Sequence, residues 1–576
     1  MAQSRRLAKL GTYLRPHWQD TALGIIALLS VNGLGVYIPL LIRSGVGTLS
    51  TTFSLNQVIR YAVIIISLSS AMWMMRMASR IWIFGVGRQV EFELKQRIFQ
   101  HLLKLEPTYF LTNTPGDLIS RATSDVENIR RLLGFAVLSL ANTLFAYVLT
   151  VPVMLSISVD LTLASLAVYP FMFLLVYLFS DRLRQQQAAV QEQLSDMSEL
   201  IQEDISGISL IKIYAQEENE RQAFQKKNQA LLRANLTLAR TRNTLFPLIG
   251  GLANISSLII IWLGTMRISS DSLAVGDFLA LLIYVERLVF PTALLGFTVI
   301  AYQRGEVSLD RIESILSVTP KIQDPPDAIH LAANTIKGEV TAKNLSYTYP
   351  GANIPALNKI NLTIAPGELV AIVGAIGAGK STLANTLPRL LDIEPGQLFL
   401  DGLDITKIAL NDLRRAIAYV PQDSFLFSTT IQNNIRYGDP ICKQENVVTV
   451  ARLAQMEAEI NNFHQQYETI VGERGITLSG GQRQRTALAR AMLVDAPVLI
   501  LDDALSSVDN QTATRILRNL SSATQQKTVI LITHQLSAAA TADRIIVMEK
   551  GEIVQIGKHT ELVEQPGLYK RLWTQH

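Results

Sequence analysis

Six stretches of about 20 or more mostly apolar residues fall before residue 305, and each is long enough to cross the roughly 30 Å hydrocarbon core of a bilayer as a helix. They cover residues 21–42, 58–80, 132–157, 161–179, 245–266 and 279–302. In lipid every backbone polar group needs an internal partner, and a continuous apolar run of this length meets that need as a helix. The composition agrees: of 576 residues 49% are hydrophobic and only 17% charged, and the mean hydropathy is +0.25. The net charge of +4 is small for this length and gives no reason to expect a nucleic-acid partner. The single cysteine, Cys442, rules out an intrachain disulfide framework.

The first stretch follows a basic segment, SRRLAKLGTYLRPHW. Its apolar run exceeds a signal-peptide core and no small-residue cleavage site follows, so it reads as an uncleaved span. Lysine and arginine gather in two long connections. Spans two and three are joined through Arg88, Lys95, Arg97, Lys104, Arg121, Arg130 and Arg131; spans four and five through Arg182, Arg184, Lys212, Lys226, Lys227 and Arg233. The positive-inside rule places both connections and both termini in the cytoplasm, making a multi-pass protein; its compact half-size form and the lack of a targeting peptide make a bacterial inner membrane the better-fitting home. Val190, Leu194, Met197, Ile201 and Ile205 recur at helical spacing, so the connections read as membrane helices running on into the cytoplasm. Arg76, Arg80, Glu286 and Arg287 lie at or near membrane depth; such groups face a bundle interior or a wet cavity, and a substrate role and a structural ion pair stand equally open. Trp73, Trp82, Tyr147, Tyr284 and Phe290 read as packing or interfacial anchors.

The composition changes near residue 318. Residues 1–318 form the expected membrane domain, 319–336 a polar, proline-containing linker, and 337–576 an α/β domain of short β-rich runs alternating with helical patterns. Within it, LVAIVGAIGAGKSTLANTL runs strand, glycine-rich turn, helix. Gly374, Ala375, Ile376, Gly377, Ala378, Gly379, Lys380 and Ser381 fit the P-loop pattern in the context it requires. Glycines let successive backbone N–H groups approach phosphate oxygens, and the helix N-terminus adds partial positive charge. Lys380 is expected on the β- and γ-phosphates of a bound nucleotide, Ser381 on Mg²⁺, and Thr382 on phosphate as well. A second strand, at 498–501, runs out into Asp502 and Asp503. Two adjacent acids after a buried strand are costly unless cations meet them. In P-loop proteins the first carboxylate sits on Mg²⁺, and the second, Asp503, can accept a proton from the attacking water.

Three further motifs narrow the reading: LSGGQRQR, containing Ser479, Gly480, Gly481 and Gln482; YVPQD, containing Gln422; and LITHQL, containing His534. In this order and spacing, with LSYTYPG carrying Tyr349 and VGERG carrying Glu473, they resemble the nucleotide-binding domain of an ABC transporter. The membrane half resembles that of ABC exporters through Phe110, GDLISRATSDV at 116–126, GISLIKIYAQE at 207–217, and Gln303, Ser308 and Arg311. The resemblance covers almost the whole chain. It implies an α-helical six-span membrane domain fused to an α/β P-loop domain, a half-transporter that pairs with a second half-transporter in the lipid bilayer. It implies ATP sandwiched between one chain's P-loop and the other's LSGGQ, with Tyr349 on adenine, Gln422 sensing Mg²⁺, His534 holding the γ-phosphate and water, and Asp509 pairing across the interface. Segments near 117–125 and 208–216 would carry motion to the membrane helices. The implied substrate is a small amphipathic drug, lipid or peptide moved out of the cytoplasm or inner leaflet.

The sequence departs from the family at Asp503, where the pattern has Glu. The carboxylate loses one methylene, or ~1.3 Å of reach, and a misplacement of about 1 Å costs on the order of 100-fold in rate. Half-transporters with this replacement resemble the degenerate-site subunit of heterodimeric exporters. The expectation is therefore a heterodimer in which this chain supplies a weak P-loop half and an intact signature half. A homodimer with Asp503 as a slower base, an importer on the same scaffold, and an ATP-gated channel or regulator remain alternatives.

Overall fold

A computed structural model describes residues 11–51, 54–332, 335–523 and 527–575. The basic segment before the first span begins in residues 4–10, outside the described residues. The chain divides into two compact units, Met1–Leu103 with Pro115–Val318 and Lys104–Thr114 with Thr319–His576.

The first unit is helical. Its principal helices are α1 (Trp18–Thr51), α2 (Leu55–Leu102), a helical run α4 (Pro115–Ile157), a second run α5 (Val159–Ser206), α7 (Glu217–Ser269) and α8 (Val275–Leu316). Two short helices fall between them, α3 (Pro107–Thr112) and α6 (Ile208–Ile213). The six apolar stretches each lie inside one of the long elements, which are the helices long and apolar enough to span a membrane among the described residues. A 48-residue helix such as α2 extends about 70 Å, twice the hydrocarbon thickness, so the long connections are helical continuations of the spans. Proline is tolerated inside four of them, at Pro39, Pro152, Pro247 and Pro291, because neighbouring groups satisfy the freed backbone. Tyr284 and Tyr147 are packing residues: their hydroxyls reach Val36 O at 2.6 Å and Thr292 Oγ1 at 2.6 Å.

The GDLISRATSDV segment belongs to this unit. Here α4 contains two π-helical turns, Arg121–Asp125 and Leu132–Ala136. Asp117, Arg121 and Asp125 follow one another at i, i+4 and i+8 and face α8. Arg311 pairs with Asp117 at 2.6 Å and with Asp125 at 3.1 Å. Ser308 donates to Asp125 at 2.8 Å, and Arg121 donates to Ser314 at 2.8 Å. The motif residues 117–125 and Ser308–Arg311 are thus each other's partners. The segment grouped with the second unit is instead Lys104–Thr114, where Glu106 accepts from Lys321 N at 3.3 Å.

The second unit holds two sheets. One is antiparallel, in the order β2 (Leu357–Ile364), β1 (Val340–Tyr347), β4 (Leu398–Leu400), β5 (Leu403–Asp404). The other runs β10 (Glu552–Gly557), β9 (Arg544–Glu549), β3 (Leu369–Gly374), β8 (Thr528–Ile532), β7 (Val498–Asp502), β6 (Ile417–Val420). From β9 to β6 its strands are parallel. Strands β7 and β8 are buried at every position, as central parallel strands covered on both faces must be. One apolar core fills the space between the sheets, around Val370, Ile372, Ile500 and Ile530. A second joins the other face to the helices around Leu488, Ile435 and Ile516. The linker is docked on this unit rather than free: Ile329 N donates to Lys407 O at 2.8 Å, and Leu410 N donates to Asp324 at 2.7 Å.

Candidate nucleotide site

Because β3, β8, β7 and β6 are parallel neighbours, their C-terminal ends form one edge, the place where open α/β sheets bind ligands. The P-loop follows β3, Thr533 and His534 follow β8, Asp502 ends β7 with Asp503 next, and Gln422 lies two residues beyond β6. The topology thus brings four motifs, scattered over 160 residues, to a single edge.

The P-loop turn depends on glycine. Gly374, Gly377 and Gly379 have φ of 153°, 80° and 94°, a region that L side chains rarely adopt. A Cβ on Gly374 would strike Met548 O, and one on Gly379 would strike Ala356 O. Ala375 and Ile376 are exposed, whereas Ala378 is buried. The helix α9 (Lys380–Thr386) starts at once. Lys380 is 6% exposed, and its ammonium donates to Gly374 O and Ala375 O, both at 2.9 Å, so it closes its own loop. Burial pulls its pKa below the usual lysine value, opposed by the charges of Asp502 and Asp503.

Asp502 is 2% exposed. Ser381 Oγ donates to its Oδ1 at 3.1 Å, and Tyr419 Oη lies 3.3 Å from its Oδ2 and 2.9 Å from Asn385 Oδ1. Burial raises the Asp502 pKa above the ordinary carboxylate value, with Ser381 and Tyr419 acting against the rise. Asp503 is half-buried with φ of 50°. Its N–H donates to Ile532 O at 2.9 Å, and its Oδ1 is buried without a hydrogen-bond partner among the described residues. A buried unpaired carboxylate oxygen beside a buried ammonium fits a site that receives a hydrated cation and phosphate. Tyr349 Oη sits 3.3 Å from Thr382 Oγ1, and its ring packs edge-on to Tyr347. Gln422 and His534 are both exposed.

The signature lies apart from this edge. Ser479 caps α10 (Gly480–Leu493) in a capping box with Gln482: Ser479 Oγ accepts from Gln482 N at 3.2 Å, and Gln482 Oε1 accepts from Ser479 N at 2.9 Å. Among the described residues no hydrogen bond joins Ser479, Gly480, Gly481 or Gln482 to the P-loop. A Cβ on Gly481 would come within 2.7 Å of Ser507 O, which is why this position is glycine. Gln484 ties α10 to the loop after β7, donating to Ser506 Oγ at 2.9 Å and accepting from Ser507 N at 2.8 Å. Asp509 is exposed, and its carboxylate accepts from Thr512 N at 2.9 Å as the cap of α11 (Asn510–Ala523); that backbone bond lowers its pKa. Tyr419, Asn385 and Gln484 are site residues that the motif reading passed over, although Tyr419 stands within YVPQD and Gln484 within LSGGQRQR.

Comparisons with known proteins show the family of the chain. The ABC transporter transmembrane region matches residues 21–292 and the ABC transporter family matches 357–506. The chain is 32% identical over 572 residues to the multidrug resistance-like ATP-binding protein MdlA of Escherichia coli, covering 99% of this chain and 96% of that one. It is 30% identical to the probable multidrug resistance ABC transporter ATP-binding/permease protein YheI of Bacillus subtilis, covering 98% and 96%. It is 32% identical to the ATP-dependent lipid A-core flippase of Syntrophus aciditrophicus, covering 99% and 93%. Its fold matches that of a bacterial Atm1-family ABC exporter with ATP bound, at a TM-score of 0.79 and 24% identity over 97% of this chain and 99% of that one. The chain belongs to the ABC transporter family, with membrane and nucleotide-binding domains fused in one polypeptide. It binds and hydrolyses ATP, is a multi-pass protein of the bacterial inner membrane with its ATPase domain in the cytoplasm, and works as a dimer of half-transporters.

Proposed function

We propose that the chain is one half of an ATP-driven exporter, paired with a different half-transporter, and that its own ATP site holds nucleotide but hydrolyses it slowly. Its membrane domain is 1–318, its linker 319–336 and its nucleotide-binding domain 337–576. The observation that carries this is Asp503, an acid one methylene short, beside a P-loop, Asp502, Gln422 and His534 that are all in place. The backbone N–H groups of 374–379, Lys380 and Thr382 bind the phosphates, and Tyr349 stacks on the base. Ser381, Asp502 and Gln422 would hold Mg²⁺, which would supply charge neutralisation for the phosphates. Asp503 orients and deprotonates water, with His534 as the second contact to it. The reach of Asp503 is shorter than glutamate's by ~1.3 Å, enough to cost on the order of 100-fold. The intact Ser479, Gly480, Gly481 and Gln482 serve the partner's nucleotide, and Asp509 lines the same interface. Relatives named for multidrug resistance and for lipid A-core flipping support an amphipathic drug-, lipid- or peptide-like cargo.

The test is to isolate the complex mildly from its own membrane, weigh it by native mass spectrometry, and compare its ATPase with that of Asp503→Asn. Two chains of different mass and an ATPase changed less than about twofold are expected. Two identical chains, with ATPase lost in Asp503→Asn, would make Asp503 a working base in both sites and end the asymmetric reading.

A further inference from the structure

Within the membrane unit, α1, α2, α4 and α8 enclose a cavity of about 640 Å³. It gathers the four ionisable residues whose roles the sequence left open, Arg76 and Arg80 from α2 and Glu286 and Arg287 from α8, together with Asn32 and Asn142. Three arginines face one glutamate, a formal excess of two positive charges. Among the described residues no carboxylate pairs with any of the three: Arg76 reaches only Met72 Sδ at 4.0 Å, and Arg287 donates to Asn32 O at 3.2 Å and Asn32 Oδ1 at 3.3 Å. Charge at membrane depth without a counter-charge is costly and marks a functional site.

The pocket is built around Arg287. Its guanidinium occupies the space that a Cβ on Gly35 would fill, so α1 has a glycine where the arginine crosses it. Asn32, 2% exposed, is fixed by donating to Leu28 O at 3.0 Å and Asn142 Oδ1 at 3.1 Å, which leaves its own carbonyl and Oδ1 to orient Arg287. Apart from Ser79 and Ser139, the remaining walls are apolar, among them Val31, Phe84, Phe135, Phe290 and Leu294. A rigid cationic floor under aromatic and aliphatic walls suits one chemistry. We propose that this cavity binds the transported molecule as an amphipathic anion, an apolar body carrying a phosphate, sulfonate or carboxylate head. Arg287 and Arg76 take the head, since guanidinium groups match the geometry of such oxyanions. Glu286 attracts cations, but one carboxylate against three guanidinium groups does not reverse the preference. This rests on the transporter reading above and names the cargo of that same machine.

The experiment uses the full complex in nanodiscs of phosphatidylcholine, with ATPase stimulation by dodecyl phosphate and by dodecyltrimethylammonium as the readout. Dodecyl phosphate should stimulate at a concentration at least tenfold lower. Arg287→Gln and Arg76→Gln should each raise that concentration about tenfold, the scale of one charge-assisted hydrogen bond, and Arg287→Lys should recover part of the loss. A parallel set of nanodiscs containing phosphatidylglycerol separates the sources: stimulation by that lipid alone identifies the anion as a bilayer lipid, and its absence identifies a free amphiphile. Equal response to both dodecyl compounds, or a preference unchanged in both glutamine variants, would overturn the anion site while leaving the ATP-driven transporter standing. Absence of Mg²⁺-dependent ATPase in the unmodified complex would instead count against the transporter reading itself.

Discussion

Asp503 takes a left-handed backbone conformation, φ 50°, in which Asp and Asn are several-fold enriched over other non-glycine residues. The turn after β7 therefore suits the shorter acid locally while the chemistry suits the longer one. Asp503→Glu should show both effects. It adds ~1.3 Å of reach and strains the turn by about 1 kcal/mol. Single-turnover ATP hydrolysis at this chain's own site is expected to rise at least tenfold, and calorimetry is expected to show a slightly lower unfolding temperature for the nucleotide-binding domain. A rate no faster than the unmodified chain's would mean that reach is not what limits this site. Asp502, in contrast, is fixed from two sides by Ser381 and Tyr419, so its position does not depend on the backbone alone.

At the scale of elements, the N-terminus of α10 is where packing and chemistry meet. Gly481 lies so close to Ser507 O that a methyl group there would need to displace backbone, and Gln484 holds the same loop through Ser506 and Ser507. Gly481→Ala should tilt the helix N-terminus and with it the Ser479–Gln482 capping box. Under the proposed sharing of sites, ATPase of the complex falls by about 100-fold, a 1 Å misplacement, while ATP binding to this chain's own P-loop, followed by a fluorescent nucleotide, stays within about twofold. Loss of binding at the chain's own site would show that signature and P-loop act within one chain. The existence of α10 was legible, because Ser479 followed three residues later by Gln482 is a capping-box signal. Its contact with Ser507 was not legible, because nothing at residue 481 alone points to residue 507.

Across the membrane unit, the cytoplasmic reach of α8 is held to α4 by Arg311, which bridges Asp117 and the buried Asp125. Arg311→Ala leaves Asp125 without its cation. With the arginine side chain 40% exposed, the cost is discounted for screening to about 1–2 kcal/mol. Substrate-stimulated ATPase should fall severalfold while nucleotide binding is retained, since the cluster lies within the membrane unit. Undiminished stimulation would show that this clamp does not take part in coupling.

What the sequence determined by itself is the set of features written locally. Twenty apolar residues must become a helix in lipid, Val190 to Ile205 repeat with helical period, and three glycines before Lys380 and Ser381 make a phosphate-sized turn. The order of motifs even told that Asp502 and the P-loop belong together. The tertiary structure decided what depends on residues far apart in the chain. It brought Arg76 and Arg80 into one cavity with Glu286 and Arg287, more than 200 residues later, and made Asp117 and Arg311 partners. It placed Tyr419 against Asp502 and grouped Lys104–Thr114 with the second unit. The reason is physical: local periodicity and turn chemistry are properties of neighbouring residues, whereas the pairing of buried charges is set by which helix faces and strand edges the whole fold turns toward each other.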